Sequence, residues 1–259
     1  MNSLQLNFLC IRYILWRGVI LLDRIPTGIP KLDEIIGGGF IKGRTYLIAG
    51  ETGTGKTIMS LQFLLQGLKN GEQCAFVSFD DRIANVISGT LNLGWNFNPY
   101  IRSGQFVPFE IRLRTEDLRH GKESKAFVKN IQRYLRGRTI SRLVLDPISA
   151  LAQGVGDLLW VREYIREIVS YLEEEIGCTT VVTCDIPTGS NSLSRYGVEE
   201  FISSGIIVLE IKRIGEKFYR LIYVRKMRWS PMDMTIYTFE IVPGKGIVIG
   251  EPLNKLLEK

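Results

Sequence analysis

Cysteine is scarce in this 259-residue chain: Cys10, Cys74, Cys178 and Cys184 are scattered and show no C-x-x-C spacing. That pattern argues against a disulfide framework and against structural zinc. It predicts a reduced, cytoplasmic protein whose last three cysteines lie in or beside core strands. Internal repeats and low-complexity stretches are also missing, which excludes a repeat array. Nor is there a long apolar run free of charge. Residues 4–22 come nearest, but Arg12 and Arg17 interrupt them. Each Arg near the middle of a spanning helix costs about 2.5 to 3.5 kcal/mol, and no small-residue cleavage site follows, so stable membrane insertion and a signal peptide are not expected. Residues 1–22 read instead as an N-terminal extension: a peripheral amphipathic anchor, a segment packed on a neighbour, or a stretch absent from the native protein.

What is present is an ordinary globular composition, 45% apolar, enough for a sizeable core. A domain over 23–250 and a short tail over 251–259 are expected. The net charge of +6 is concentrated between Arg102 and Arg142, where eleven Lys or Arg face four acids. Within that stretch Lys122 to Arg136 has helical periodicity, with Phe127, Ile131, Tyr134 and Leu135 inward and Lys125, Lys129, Arg133 and Arg136 on another face. Such a stripe suits a phosphate backbone; it equally suits a solvated helix face.

The most informative stretch is Gly50-Glu51-Thr52-Gly53-Thr54-Gly55-Lys56-Thr57, a match to G-x-x-x-x-G-K-[ST]. Thr45 to Ala49 before it reads as a buried strand, and Ile58 to Leu68 after it as an amphipathic helix stopped by Gly71. Strand, glycine loop and helix form the context in which this pattern is a P-loop. Three glycines allow backbone N–H groups to wrap a phosphate chain, and the helix start adds a positive dipole end. Lys56 then reaches the β and γ phosphates, and the Thr57 hydroxyl holds Mg²⁺.

Cys74 to Phe79 reads as a second strand ending in Asp80-Asp81. Acids there are placed to orient or deprotonate an attacking water, or else one of them caps the helix expected from Arg82 to about Leu91. A short strand is expected near Gln105 to Phe109. Arg142 to Asp146 is a core strand ending in an acid about ninety residues after the P-loop, the expected form of a Walker B site in which Asp146 holds Mg²⁺ through water. An amphipathic helix through Leu158, Val161, Ile165, Ile168 and Leu172 follows, stopped by Gly177. Thr179 to Cys184 is another strand, and the polar stretch from Asp185 to Gly197 a loop at the sheet edge where ligands bind in open α/β folds. Gly205 to Glu251 reads as three or four strands with turns at Gly215 and at Gly244 to Gly246, and one carries Arg225-Lys226-Met227-Arg228.

Together with Pro26-Thr27-Gly28, Leu32-Asp33, the glycines at 37–39 and Arg195-Tyr196-Gly197-Val198-Glu199-Glu200, these motifs resemble the RecA-type ATPases, and within them the single-domain KaiC-like proteins, over about residues 24–250. The resemblance implies an α/β fold: a RecA-like P-loop NTPase core, with a central, mostly parallel sheet flanked by helices and antiparallel strands at the C-terminus. It implies ATP and Mg²⁺ as ligands, and a homo-oligomer, a hexameric ring or filament, with nucleotide between subunits. Lys226 and Arg228 are then the pair that reaches a neighbour's γ phosphate. Two departures stand out. Relatives usually carry paired Glu where this chain has Asp80-Asp81, so slow hydrolysis is expected. The usual G-T-S-H after the K-x-R motif is here Trp229-Ser230-Pro231-Met232.

Three functions follow as expectations. The first is an ATPase of the KaiC/RecA type. The second is an ATP-modulated, single-stranded-DNA-binding recombination or repair accessory protein resembling the RadA paralogues, favoured by the basic segment but not by the 185–197 loop, whose only cation is Arg195 and only ring Tyr196. The third is a signalling protein that phosphorylates its own Ser190, Ser192 or Ser194.

Overall fold

A computed structural model of the chain describes residues 22–112, 123–152, 157–187, 189, 192, 194–197 and 199–258. Nearly all of the N-terminal extension, part of the basic segment, Ser190 and Val198 lie outside the described residues.

Uncharged β-branched and aromatic runs form the inner strands, and alternating charged runs the outer hairpin. Nine strands form one sheet in the order β11-β10-β9-β8-β3-β7-β6-β4-β5, namely β3 (Thr45–Gly50), β4 (Cys74–Ser78), β5 (Phe106–Glu110), β6 (Arg142–Asp146), β7 (Thr179–Asp185), β8 (Gly205–Ile214), β9 (Lys217–Met227), β10 (Tyr237–Val242) and β11 (Gly246–Pro252). The six from β8 to β5 in that order are parallel, and β9, β10 and β11 extend the sheet antiparallel. A two-stranded ribbon of β1 (Arg24–Ile25) and β2 (Phe40–Ile41) precedes it. β11 runs on into the segment expected as a tail, which ends in a short helix, α8 (Leu253–Leu257).

The parallel strands are buried on both faces, as near-continuous apolar runs require. One face packs on α1 (Pro30–Ile35), α2 (Lys56–Lys69) and α3 (Ile83–Asn92), through residues such as Leu32, Phe63, Leu64, Phe76 and Val86. The other packs on α5 (Glu123–Leu135) and α6 (Leu158–Ser170), through Ile131, Val161, Ile165 and Ile168. Helix α4 (Asn98–Arg102) bridges α3 and β5. After α6 the backbone widens into a π turn over Tyr171–Ile176, which Gly177 ends in a left-handed conformation. Among the described residues no helix is long and apolar enough to cross a membrane.

Arg142 is the largest fully buried side chain. Its guanidinium makes a bidentate pair with Glu72 (2.7 and 2.8 Å), donates to the carbonyls of Pro26 (2.7 Å) and Phe63 (3.0 Å), and lies over the Phe63 ring. Nearly every donor is therefore used, the condition under which a charge can be buried. This one residue of β6 ties the segment between β1 and α1 to α2 and to the turn that follows it.

Candidate functional site

The register brings the ends of the parallel strands to one edge. Gly50, the last residue of β3, stands beside Asp185 of β7 and Leu209 of β8, while Ser78 of β4 stands beside Asp146 of β6. The expected P-loop begins there, and its glycines have separate reasons to be glycine. A Cβ on Gly50 would lie 2.5 Å from the Leu209 carbonyl oxygen and 2.7 Å from Thr54 Oγ1. Gly53 (φ 82°) and Gly55 (φ 109°) take left-handed conformations that only glycine adopts cheaply. Thr52 and Gly53 at the tip are exposed, whereas Thr54 is buried and its hydroxyl donates to the Glu51 carbonyl at 2.8 Å. Gly55 occupies the N-cap position, so α2 begins at Lys56 with its amide dipoles aimed at the loop.

Lys56 is 8% exposed and fully partnered: its ammonium donates to the carbonyls of Gly50 and Glu51, both at 2.9 Å, and pairs with Asp185 at 2.8 Å. The Thr57 hydroxyl donates to Asp146 Oδ2 at 2.8 Å, and the Thr183 hydroxyl donates to Oδ1. Burial pushes the Asp146 carboxyl up, with the two hydroxyls and Lys56 opposing. Asp80 and Asp81 stand across the cavity at the end of β4. Asp80 is also pushed up, first by burial and then by the charge of Asp185. These residues, with Ser78, Ile58, Arg220 and Ile241, line a cavity of about 580 Å³, within the ordinary range for a small-molecule site.

Neither aspartate caps the following helix. Its N-cap position is Arg82, and the Ile83 amide is instead taken by the Glu110 carboxylate at 2.9 Å. Asp80 and Asp81 thus remain directed to the cavity, and the capping expectation is corrected: the cap comes from a neighbouring strand, which local spacing could not reveal.

Lys226 and Arg228 do not line this cavity; they sit at the far end of β9. Lys226 donates to the carbonyls of Glu200 (2.8 Å) and Ser203 (2.7 Å), closing the C-terminal end of the short helix α7 (Glu199–Ile202). Burial, then the charge of Arg228, lowers its pKa. Trp229 follows with φ 57° and is 80% exposed. Among the described residues it is the single non-glycine at positive φ. The Arg195 to Glu200 motif folds back on the core: Glu199 is buried and accepts from the Cys184 thiol and the Tyr196 amide, both at 3.3 Å. Ser194 is buried against Glu200, while Ser192 is exposed.

Four contributors escaped sequence reasoning. Asp185, partner of Lys56, carried a usable signal, since like Asp146 it ends a core strand beside the P-loop. Thr183, Arg220 and Ile241 carried none. Thr183 reaches the site from β7 beside β3, Arg220 from β9 antiparallel to β8, and Ile241 from β10 antiparallel to β9.

A sequence model of the family described as "ATPase: KaiC" matches residues 25–254. The chain is 30% identical over 231 residues to the circadian clock protein KaiC3 of Synechocystis, covering 88% of this chain and 46% of that protein. It is 31% identical over 239 residues to KaiC2 of the same organism, covering 91% and 41% respectively. It therefore spans less than half the length of these curated relatives. The crystal structure of a KaiC-like protein from Pyrococcus horikoshii OT3 superposes with a TM-score of 0.77 at 33% identity, covering 89% of this chain and all of that one. With its RecA-like α/β sheet and this match over most of its length, the chain belongs to the KaiC family of ATPases.

Proposed function

We propose that this chain binds Mg-ATP and hydrolyses it slowly, as a homo-oligomer whose active sites lie between subunits. The observation that carries the reading is the convergence of Lys56, Thr57 and Asp146 in one cavity at the start of α2. A hydroxyl and a carboxylate oxygen 2.8 Å apart are hard oxygen donors of the kind Mg²⁺ takes, with water completing its shell. Thr57 and Asp146 would hold the ion, Asp146 through water, and the ion when bound would neutralise charge on the phosphates.

The glycine loop 50–55 and the α2 amides cradle the phosphates, and Lys56 exchanges its Asp185 partner for them. Asp80 or Asp81 orients the attacking water and accepts its proton. Both are one methylene shorter than Glu, which sets the base back by about 1 Å and slows the step. Arg220 and Ile241 line the same cavity, Ile241 against Gly55, and would contact the rest of the nucleotide. Lys226 and Arg228, directed away from their own cavity, act on the nucleotide of a second copy, where a cation supplied in trans is worth roughly 10³ to 10⁵ in rate.

The test is ATP turnover with and without Mg²⁺, recorded alongside oligomer mass, for the protein and for a mixture of two inactive variants. Arg228→Ala combined with the double variant Asp80→Ala, Asp81→Ala restores turnover if the site is shared, because some interfaces then hold one intact half from each. No recovery in a mixture shown to co-assemble would remove the shared-site reading. Autophosphorylation gains nothing from Ser194, which is buried.

A further inference from the structure

The strands β8 and β9 outrun the rest of the sheet. β3 pairs with β8 only as far as Leu209, and β10 pairs with β9 only from Arg220 to Ile222. Residues 211–219 therefore form a two-stranded ribbon overhanging the edge that holds the P-loop, turning at Gly215. Opposite one another stand Lys212 and Tyr219, Arg213 and Phe218, and Ile214 and Lys217. Strand alternation puts Ile211, Arg213 and Phe218 on one face of the ribbon and Lys212, Lys217 and Tyr219 on the other.

Phe218 is 72% exposed and Ile211 40%. Lys212, Arg213 and Lys217 are exposed, and none forms an ion pair among the described residues. The sole acid of the tip is Glu216. Lysines on an unpaired strand edge can be explained as protection against edge-to-edge aggregation. A phenylalanine left in water directly opposite an arginine cannot, because it adds the apolar surface that such protection is meant to avoid. An exposed ring among unpaired cations is instead the combination that holds unpaired bases and their phosphates: the ring offers a stacking plane to any base, and the cations follow the backbone. The other basic element, helix α5, with Lys129, Arg133 and Arg136 on its surface, packs beside β5 at the opposite edge of the sheet. There Arg133 lies over the Tyr134 ring, and that ring is stacked on Phe109.

We propose that the tip of the β8–β9 hairpin is a binding site for single-stranded nucleic acid, with Phe218 stacking on a base and Lys212, Arg213 and Lys217 meeting its phosphates. The site is separate from the nucleotide cavity but linked to it. Arg220, which lines that cavity, lies two residues from Phe218 on the same strand face. The inference does not depend on ATP turnover.

The experiment is fluorescence anisotropy of the full chain with a labelled oligothymidine at a series of salt concentrations. Binding that weakens as salt rises is expected. The double variant Lys212→Gln, Lys217→Gln should flatten the log–log salt slope by about 1.4, from roughly 0.7 per cation on a single strand. Phe218→Ala should weaken binding about tenfold at every salt with the slope unchanged, and Phe218→Trp should restore it. Lys129→Gln with Arg133→Gln on α5 should change neither quantity. Circular dichroism and thermal unfolding of each variant confirm that the fold is kept. The proposal is overturned if the protein does not bind the oligonucleotide at low salt, or if the α5 variant rather than the hairpin variant flattens the slope. It is likewise overturned if heparin, a polyanion without bases, loses as much affinity on Phe218→Ala as the oligonucleotide does. If Phe218→Ala lowers the oligomer mass and leaves oligonucleotide binding intact, the tip is a contact between copies of this chain and not a nucleic-acid site.

Discussion

Lys56 and Lys226 are held in nearly the same way and left in opposite electrostatic states. Each ammonium donates to two backbone carbonyls at 2.7 to 2.9 Å. Lys56 also has a carboxylate, Asp185, at 2.8 Å. Lys226 forms no ion pair among the described residues; burial and then Arg228 depress its pKa, and the charge of Glu200 opposes them. The first cation is paired with a carboxylate; the second is held by carbonyls, with a carboxylate acting on it only at longer range. In the proposed function, an arriving phosphate competes with Asp185 for Lys56, whereas at Lys226 it has no directly paired carboxylate to displace. The carbonyl contacts fix both positions, and the counter-ion sets what each can do next.

The largest expected effect tests the second half of that contrast. Lys226→Ala should lower turnover about 10³-fold while changing ATP affinity in dilute protein by no more than about threefold. A matching loss of affinity, measured by titration with a fluorescent nucleotide, would place Lys226 in its own chain's site and end the distinction. Next comes Lys56→Ala, which removes a charge-assisted contact to phosphate and should weaken ATP binding roughly 100-fold. Retained affinity there would show that the loop amides suffice.

Asp185→Asn should act in the reverse direction and more weakly. Releasing Lys56 from a partly exposed partner is worth about 1 kcal/mol, so ATP should bind roughly fivefold tighter. Unchanged or weaker binding would mean that the pair does not compete with phosphate. The smallest effect concerns pH. Burial and Asp185 both raise the Asp80 carboxyl above its ordinary 3.8, and the base must be ionised to work. Turnover should therefore rise with pH along an acid limb lying above 3.8, and Asp185→Asn should move that limb downward by less than about one unit. A limb that does not move would assign it to another group. The same shift has a cost in stability: a raised carboxyl favours the fold while protonated, and that contribution fades as pH climbs through its folded value.

The inner part of the sheet was legible because β3, β4 and β7 are apolar runs bounded by glycine or by acids, and because a P-loop needs a strand before it and a helix after it. Thr45–Gly50, Arg142–Asp146 and Thr179–Asp185 end within a residue of expectation for that reason. Local pattern failed where the partner comes from another strand. Glu110, not Asp80 or Asp81, caps α3, and Arg220 reaches the cavity from β9. Tyr134, expected inside, is 38% exposed and covers Phe109, since a large ring at a helix end can shield a strand while its hydroxyl stays near water. Arg142 carried no signal of burial at all: a cation opening a strand reads as a surface residue, and only its partners, far apart in sequence, allow it inside.

That arginine has a consequence for how the molecule opens. Because one guanidinium holds the Pro26 carbonyl, the Phe63 carbonyl and both Glu72 oxygens, the segment between β1 and α1, helix α2 and β6 are expected to loosen together. Their amides should exchange hydrogen together and slowly, which native-state hydrogen exchange would check. The 50–57 loop is thus expected to sit on the part of the protein that gives way last, while the overhanging hairpin, which has no such tie, frays first and reaches the cavity only through Arg220.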